Sequence, residues 1–104
     1  MIDLKTLHSK SFAEQLHTRF QVRAGEAAPV MLELTEINEP STPPHIELFS
    51  LQFRGPVAPR LQQQIHRFEH EKLGTFDLFV TVIGGDQAGT TYEVIFHRLR
   101  PKQP

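Results

Sequence analysis

One segment places residue types at a spacing that could do chemistry. His66-Arg67-Phe68-Glu69-His70 spells H-x-x-E-H, the order in which inverted zinc metallopeptidases set two imidazoles one helical turn apart on Zn²⁺, with the glutamate as base. That chemistry needs a helix. Along a strand, at about 3.3 Å per residue, the two imidazoles would stand roughly 13 Å apart and could not share an ion held at about 2.0–2.1 Å from each ligand. A small zinc-dependent hydrolase on His66, Glu69 and His70 is therefore the alternative reading, conditional on helix and on a third ligand from elsewhere. The remaining histidines, His8, His17, His45 and His97, are scattered among turns and element ends and are expected at the surface. Gly84-Gly85-Asp86 with Gly89 has the glycine content of a phosphate-cradling loop, but no Lys-Ser/Thr follows and the next element reads as a strand, so a hairpin is expected. No serine sits in a nucleophile-elbow pattern. Arg54-Gly55-Pro56 is of a different kind. A charged residue at a strand end followed by Gly-Pro marks a fixed backbone corner, which makes Arg54, Gly55 and Pro56 the candidate partner-binding residues. The plainer role for Arg54 is to cap carbonyls or to pair with Asp77 or Glu69.

Composition narrows the function classes. The chain of 104 residues carries eleven Lys+Arg against twelve Asp+Glu, a formal charge of −1 without long runs of one sign, which argues against nucleic acid as a partner. There is no cysteine, so thiolate catalysis, thiolate metal sites and disulfides are excluded. No apolar run reaches the roughly 18 residues of a membrane span, and Met1-Ile2-Asp3-Leu4-Lys5 lacks the basic start and apolar centre of a signal peptide. The expectation is a soluble cytoplasmic protein with no membrane insertion and no cofactor. Eight Phe, eight Pro and six Gly describe short extended segments separated by turns.

The elements that would position these residues follow from periodicity. Ser11-Phe12-Ala13-Glu14 has capping-box spacing, and Phe12 and Leu16 lie one turn apart, which predicts a helix over 9–18. Phe20 and Val22 predict a strand ending at a Gly25 turn. Val30, Leu32 and Leu34 continue in a second strand whose phase changes before Ile37, as a bulge requires. Phe49, Leu51 and Phe53 share one face of a strand over 46–53, after a proline-rich loop. Residues 61–73 fit a helical stripe through Leu61, Ile65, Phe68 and Leu73, and equally an extended one through His66, Phe68 and His70. The extended reading is preferred, because Thr75 opens a strong strand at once and Leu73-Gly74 can serve as a hairpin turn. Phe76, Leu78, Val80 and Val82 alternate in that strand, with Phe79 and Ile83 giving its second face an apolar character. Tyr92, Val94 and Phe96 form the last strand. The fold class is mostly β: one domain over 1–104, with one short N-terminal helix capping a six-stranded antiparallel meander over 19–98 that closes into a barrel or tight sandwich, and a frayed tail over 99–104.

From Phe49 to Arg98 the chain resembles a family of small bacterial domains of unknown function, each about as long as this chain. The resemblance is carried by Phe53-Arg54-Gly55-Pro56 as an FRGP-like corner, Ile65-His66-Arg67-Phe68-Glu69-His70 as a Y-R-L-E-H-like segment, and Leu73-Gly74 with Phe76-Asp77-Leu78-Phe79 as an L-G-x-F-x-L-F-like segment. Position 66 in that pattern commonly resembles an aromatic residue, which favours a strand over 61–73. The resemblance implies a fold and no established activity. Neighbouring tail-collar-like fibre genes in that family imply an accessory or adaptor of a phage-tail-like or surface-filament system. Together with the apolar second faces of 46–53 and 76–83, this gives the expected function: a non-enzymatic protein-interaction or structural accessory module. Its partner would be a protein, such as a fibre or filament subunit, with homodimerisation as one form.

Overall fold

The computed structural model describes residues 1–23 and 28–100, so the turn expected at Gly25 and the last four residues lie outside the described part. A 3₁₀ turn at Leu4–Thr6 and the helix α1 (Ser9–Ala13) precede six strands: β1 (Arg19–Arg23), β2 (Val30–Asn38), β3 (Ile46–Gly55), β4 (Gln64–His70), β5 (Gly74–Asp86) and β6 (Gly89–Leu99). Every pairing is antiparallel, and the strands close a barrel in the order β1-β2-β3-β6-β5-β4. The expected meander is present as two runs of three. Between them residues 56–63 cross the barrel, so that β3 pairs with β6 and β4 pairs with β1. Among the described residues no helix is long and apolar enough to cross a membrane.

The period-two pattern of the sequence becomes the inside and outside of this barrel. Phe20 and Val22, Leu32 and Leu34, Phe49, Leu51 and Phe53, Phe68, Phe76, Leu78 and Val80, and Tyr92, Val94 and Phe96 all point inward and are buried. The phase change in β2 is a register shift between Leu34 and Glu36, which turns Ile37 back against the core. Residues 61–73 resolve as β4 and its turn, with His66, Phe68 and His70 inward and Ile65, Arg67 and Glu69 outward or half-buried. At the following turn Gly74 adopts φ +94°, a left-handed conformation that a side chain would strain.

Each end of the barrel has its own plug. At one, Phe12 of α1 is fully buried, its ring 5.6–6.4 Å from those of Phe20, Phe49, Phe76 and Phe96. At the other, Leu61 of the crossing segment is buried, and its backbone N–H donates to the Tyr92 hydroxyl at 2.9 Å. The N-terminal plug is locked by a buried polar cluster. Glu47 is only 2% exposed and accepts from Arg98 Nε at 2.8 Å and lies 2.9 Å from His8 Nδ1. The Arg98 guanidinium also donates to the carbonyls of Leu4 and Leu7 and lies over the Phe96 ring, 5.1 Å from its centroid. Burial raises the Glu47 carboxyl's affinity for a proton, but the hydrogen bonds from Arg98 and His8 outweigh it and hold its pKa below the usual value.

Two expectations are corrected. The helix is five residues rather than ten. It begins at Ser9, where Ser11 Oγ accepts from the His8 N–H rather than acting as the N-cap, and turns carry the chain on to His17 at φ 66°. Leu16 is accordingly 39% exposed and does not share the burial of Phe12. The tail does not fray at 99: β6 runs to Leu99, and the Arg100 N–H donates to the His45 carbonyl at 2.8 Å. Phe79 points outward and is 53% exposed, whereas its neighbour Leu78 is 4% exposed. Leu78→Ala should therefore cost about 2–5 kcal/mol, and Phe79→Ala less than about 1 kcal/mol. Urea unfolding followed by circular dichroism checks the contrast, and equal losses would contradict the inward and outward assignment.

Candidate interaction surfaces

Arg54, Gly55 and Pro56 end β3 and border an open groove of about 480 Å³ shared with Pro29, Met31 and Pro59. Arg54 pairs with neither Asp77 nor Glu69. It donates to Thr91 Oγ1 at 2.8 Å and to Asp86 Oδ1 in the β5–β6 turn, whose carboxylate also accepts the N–H groups of Ala88 and Gly89. The Ala88 N–H and then the Arg54 guanidinium hold the Asp86 pKa below its usual value. Gly55 has no left-handed φ, so its requirement is space. A Cβ there would stand 2.5 Å from Leu32 Cδ2 and 3.4 Å from Tyr92 Cε2, inside the barrel wall. Pro56 is exposed at the groove rim. The corner is thus a packed joint with an anchored arginine, and only Pro56 and one side of Arg54 face solvent.

His66, Glu69 and His70 lie on β4, with the two histidines inward and the glutamate on the other face. His66 Nε2 is 2.7 Å from the Gln62 carbonyl, towards the Leu61 end of the barrel. Glu69 accepts from Arg23 Nε at 2.8 Å. His70 sits at the opposite end, its ring 4.3 Å from that of Phe20. Its Nδ1 accepts the N–H groups of Lys72 and Leu73 at 3.0 and 3.2 Å, which places its proton on Nε2, 2.9 Å from Thr18 Oγ1. The Thr18 hydroxyl in turn donates a hydrogen bond to the Gln15 carbonyl. The strand separates the imidazoles as its rise requires, and among the described residues no three ligand-type side chains gather to hold a metal ion. His70 works as the clasp of the β4–β5 turn. Burial holds its pKa below the ordinary imidazole value of 6.5, with Lys72 adding to the effect and Glu71 opposing it.

The outer wall carries a different kind of feature. Ile65 and Phe79 are register partners on β4 and β5, 65% and 53% exposed. Ile95 of β6, 60% exposed, lies two positions beyond Glu93, where the β5–β6 pairing ends at Thr81. Ile95 also shares with half-buried Leu48 the floor of an open groove of about 440 Å³, rimmed by Glu39 and Glu93. The apolar second face expected of strand 76–83 is therefore present. It continues onto β4 through Ile65, while β6 exposes Ile95 and β3 contributes Leu48 among half-buried Ser50 and Gln52.

The family model described as a domain of unknown function, DUF6916, matches residues 7–96. The chain belongs to that family. Neither a curated protein nor a solved structure matches it. In this DUF6916 domain the match spans both barrel plugs, from the clamp partner Leu7 to Phe96 of the core.

The sequence shows the corner and the histidine segment of the DUF6916 domain but not the exposed apolar set. Ile65, Phe79 and Ile95 are legible singly, as apolar residues on the polar phase of their strands; the pairing of Ile65 with Phe79 depends on register. Two predictions follow from the corner and the clasp. Gly55→Val should destabilise by about 1–3 kcal/mol through overpacking against Leu32, and Arg54→Ala by less than about 1 kcal/mol, since its ion pair is solvent-exposed. Thermal melts of both variants check this ordering. For His70, the unfolded chain takes up the proton before the folded one does. Its contribution is thus complete above about pH 6.5 and is lost as pH falls from there towards the depressed folded value. The urea midpoint of the wild-type chain should fall more steeply between about pH 7 and pH 5 than that of His70→Gln, which cannot protonate. Equal slopes would remove His70 from this role.

Proposed function

We propose that the domain is a protein-interaction or structural accessory module without chemistry of its own, and that it docks through the outer face of β4, β5 and β6. The observation that carries this reading is the exposure of Ile65, Phe79 and Ile95 on the outer wall, the first two as cross-strand partners. Large apolar side chains exposed on three strands lie outside the usual solvated face of an antiparallel sheet and mark contact surfaces. The closed barrel narrows how contact can be made. Each strand has a neighbour on both sides over part of its length, so no strand offers a whole open edge to a partner and side chains on the wall are the readier means of recognition. The interior is occupied by stacked and edge-on rings, with Phe49 and Phe96 at 4.5 Å, and the residues with catalytic potential are held in structural hydrogen bonds. A role as adaptor in a phage-tail-like filament is a narrower form of this reading and rests on the family resemblance alone.

Site-specific photo-crosslinking tests it. With a benzophenone amino acid at position 79, cells producing the protein should yield discrete adducts of higher mass, and the same group at position 33, on β2 away from this face, should not. Absence of adducts at 79, or the same adducts at both positions, would overturn the reading.

A further inference from the structure

We propose that this face, read as the contact surface above, takes a protein segment in which an apolar side chain stands next to a lysine or arginine. Ile95 and Leu48 receive the apolar group, and Glu39 and Glu93 receive the cation. The inference rests on how this barrel distributes its ion pairs. Elsewhere on the wall, carboxylates have a local basic partner: Glu33 with His17, Glu69 with Arg23, Asp77 with Arg67 and Asp86 with Arg54. The buried Glu47 has Arg98 and His8. Beside Ile95 the pattern stops. Among the described residues no cation lies within ion-pair distance of Glu36, Glu39 or Glu93.

Register makes these carboxylates a local feature. Glu36 pairs with Gln52, and Gln52 with Glu93, so two carboxylates flank one amide along a single cross-strand row next to the row that holds Ile95. Glu39, at the end of β2, is oriented by the Ser9 hydroxyl, which donates to its Oε1 at 2.9 Å. The groove floor between Glu39 and Glu93 is apolar, supplied by Leu48 and Ile95, and its lining contains no basic side chain. A cation brought there by a partner would sit against low-dielectric surface, where its attraction to two carboxylates exceeds that of the same charges in open water.

The same charges choose between occupants. A second copy of this chain would present its own Glu36, Glu39 and Glu93 to this face. The cationic groups it could offer from the equivalent surface are Arg67, already held by Asp77 at 3.1 Å, and His97. Phosphate-rich partners meet the same carboxylates. A basic, partly apolar protein segment is the occupant for which shape and charge agree.

A peptide library displayed on phage, selected at low salt on the immobilised full chain and counter-selected on Ile95→Ser, tests this directly. Selected sequences should combine Leu, Ile, Val or an aromatic residue with a nearby Lys or Arg. A synthetic consensus peptide should bind Ile95→Ser about tenfold more weakly than wild type. It should bind Glu93→Gln about two- to fivefold more weakly, with a shallower salt dependence. Unchanged melting curves of both variants separate these losses from unfolding. Peptides that need Ile95 but carry no cation, or that bind Glu93→Gln as tightly as wild type, overturn the basic-segment inference and leave the contact-face reading standing. Failure to select any peptide that distinguishes Ile95→Ser counts against both. A concentration-dependent dimer in light scattering that Ile95→Ser dissolves would make a second copy the occupant and overturn the inference.

Discussion

A barrel wound from six strands encloses too little space for anything but side chains and leaves two open ends, and the structure is arranged around closing them. Phe12 closes one and Leu61 the other, and between them the rings of Phe20, Phe49, Phe53, Phe68, Phe76 and Phe96 fill the lumen. The Phe12 plug comes from a helix of five residues, far too short to be stable by itself. It holds its place because Arg98, on the last strand, reaches the carbonyls of Leu4 and Leu7 while neutralising the buried Glu47. Removing Arg98 would leave the buried Glu47 with His8 alone, and removing Glu47 would leave Arg98 with carbonyl partners only, so this ion pair ties the N-terminal segment to the last strand.

Strand order follows from the same constraint. Two three-strand meanders can close on one another only if the segment between them crosses an end, and the crossing segment, residues 56–63, supplies the second plug. Its starting point is the Gly55 joint, where a Cβ would stand 2.5 Å from Leu32 Cδ2 and force that side chain to move. The corner that looks like a recognition motif in the sequence is therefore first a packing solution. Arg54 extends it by tying the β5–β6 turn to β3 through Asp86.

Chemistry-bearing residues are consumed by these structural tasks. His66 and His70 serve opposite ends of the barrel, one against a backbone carbonyl and the other as acceptor for two turn amides. Glu69 pairs across strands with Arg23. What the framework does not consume is the exposed apolar side chains of β4, β5 and β6 and, beside Ile95, the carboxylates Glu36, Glu39 and Glu93, which have no ion-pair partner among the described residues. Exposed apolar patches of this kind mark contact surfaces, which is why the functional reading settles there.

Period-two alternation was enough, in the sequence alone, to place six strands, the inward sets Phe49-Leu51-Phe53 and Phe76-Leu78-Val80, the bulge before Ile37 and the turn at Gly74. Each is a local consequence of which side chains must leave water and which backbone angles a residue permits. The same local rules overextended the helix beyond Ala13, because the Phe12–Leu16 spacing says nothing about whether Leu16 finds a core to enter. They also let the tail fray at 99, because Arg98 becomes a clamp only when Glu47 and the N-terminal carbonyls converge on it. Tertiary structure alone decided which strands are neighbours. With that came the separation of His66 from His70 into two end regions, the partner of Arg54, and the pairing of exposed Ile65 with Phe79. Adjacency between strands is set by loop crossing and register, which link residues tens of positions apart and leave no mark in the periodicity of any one segment.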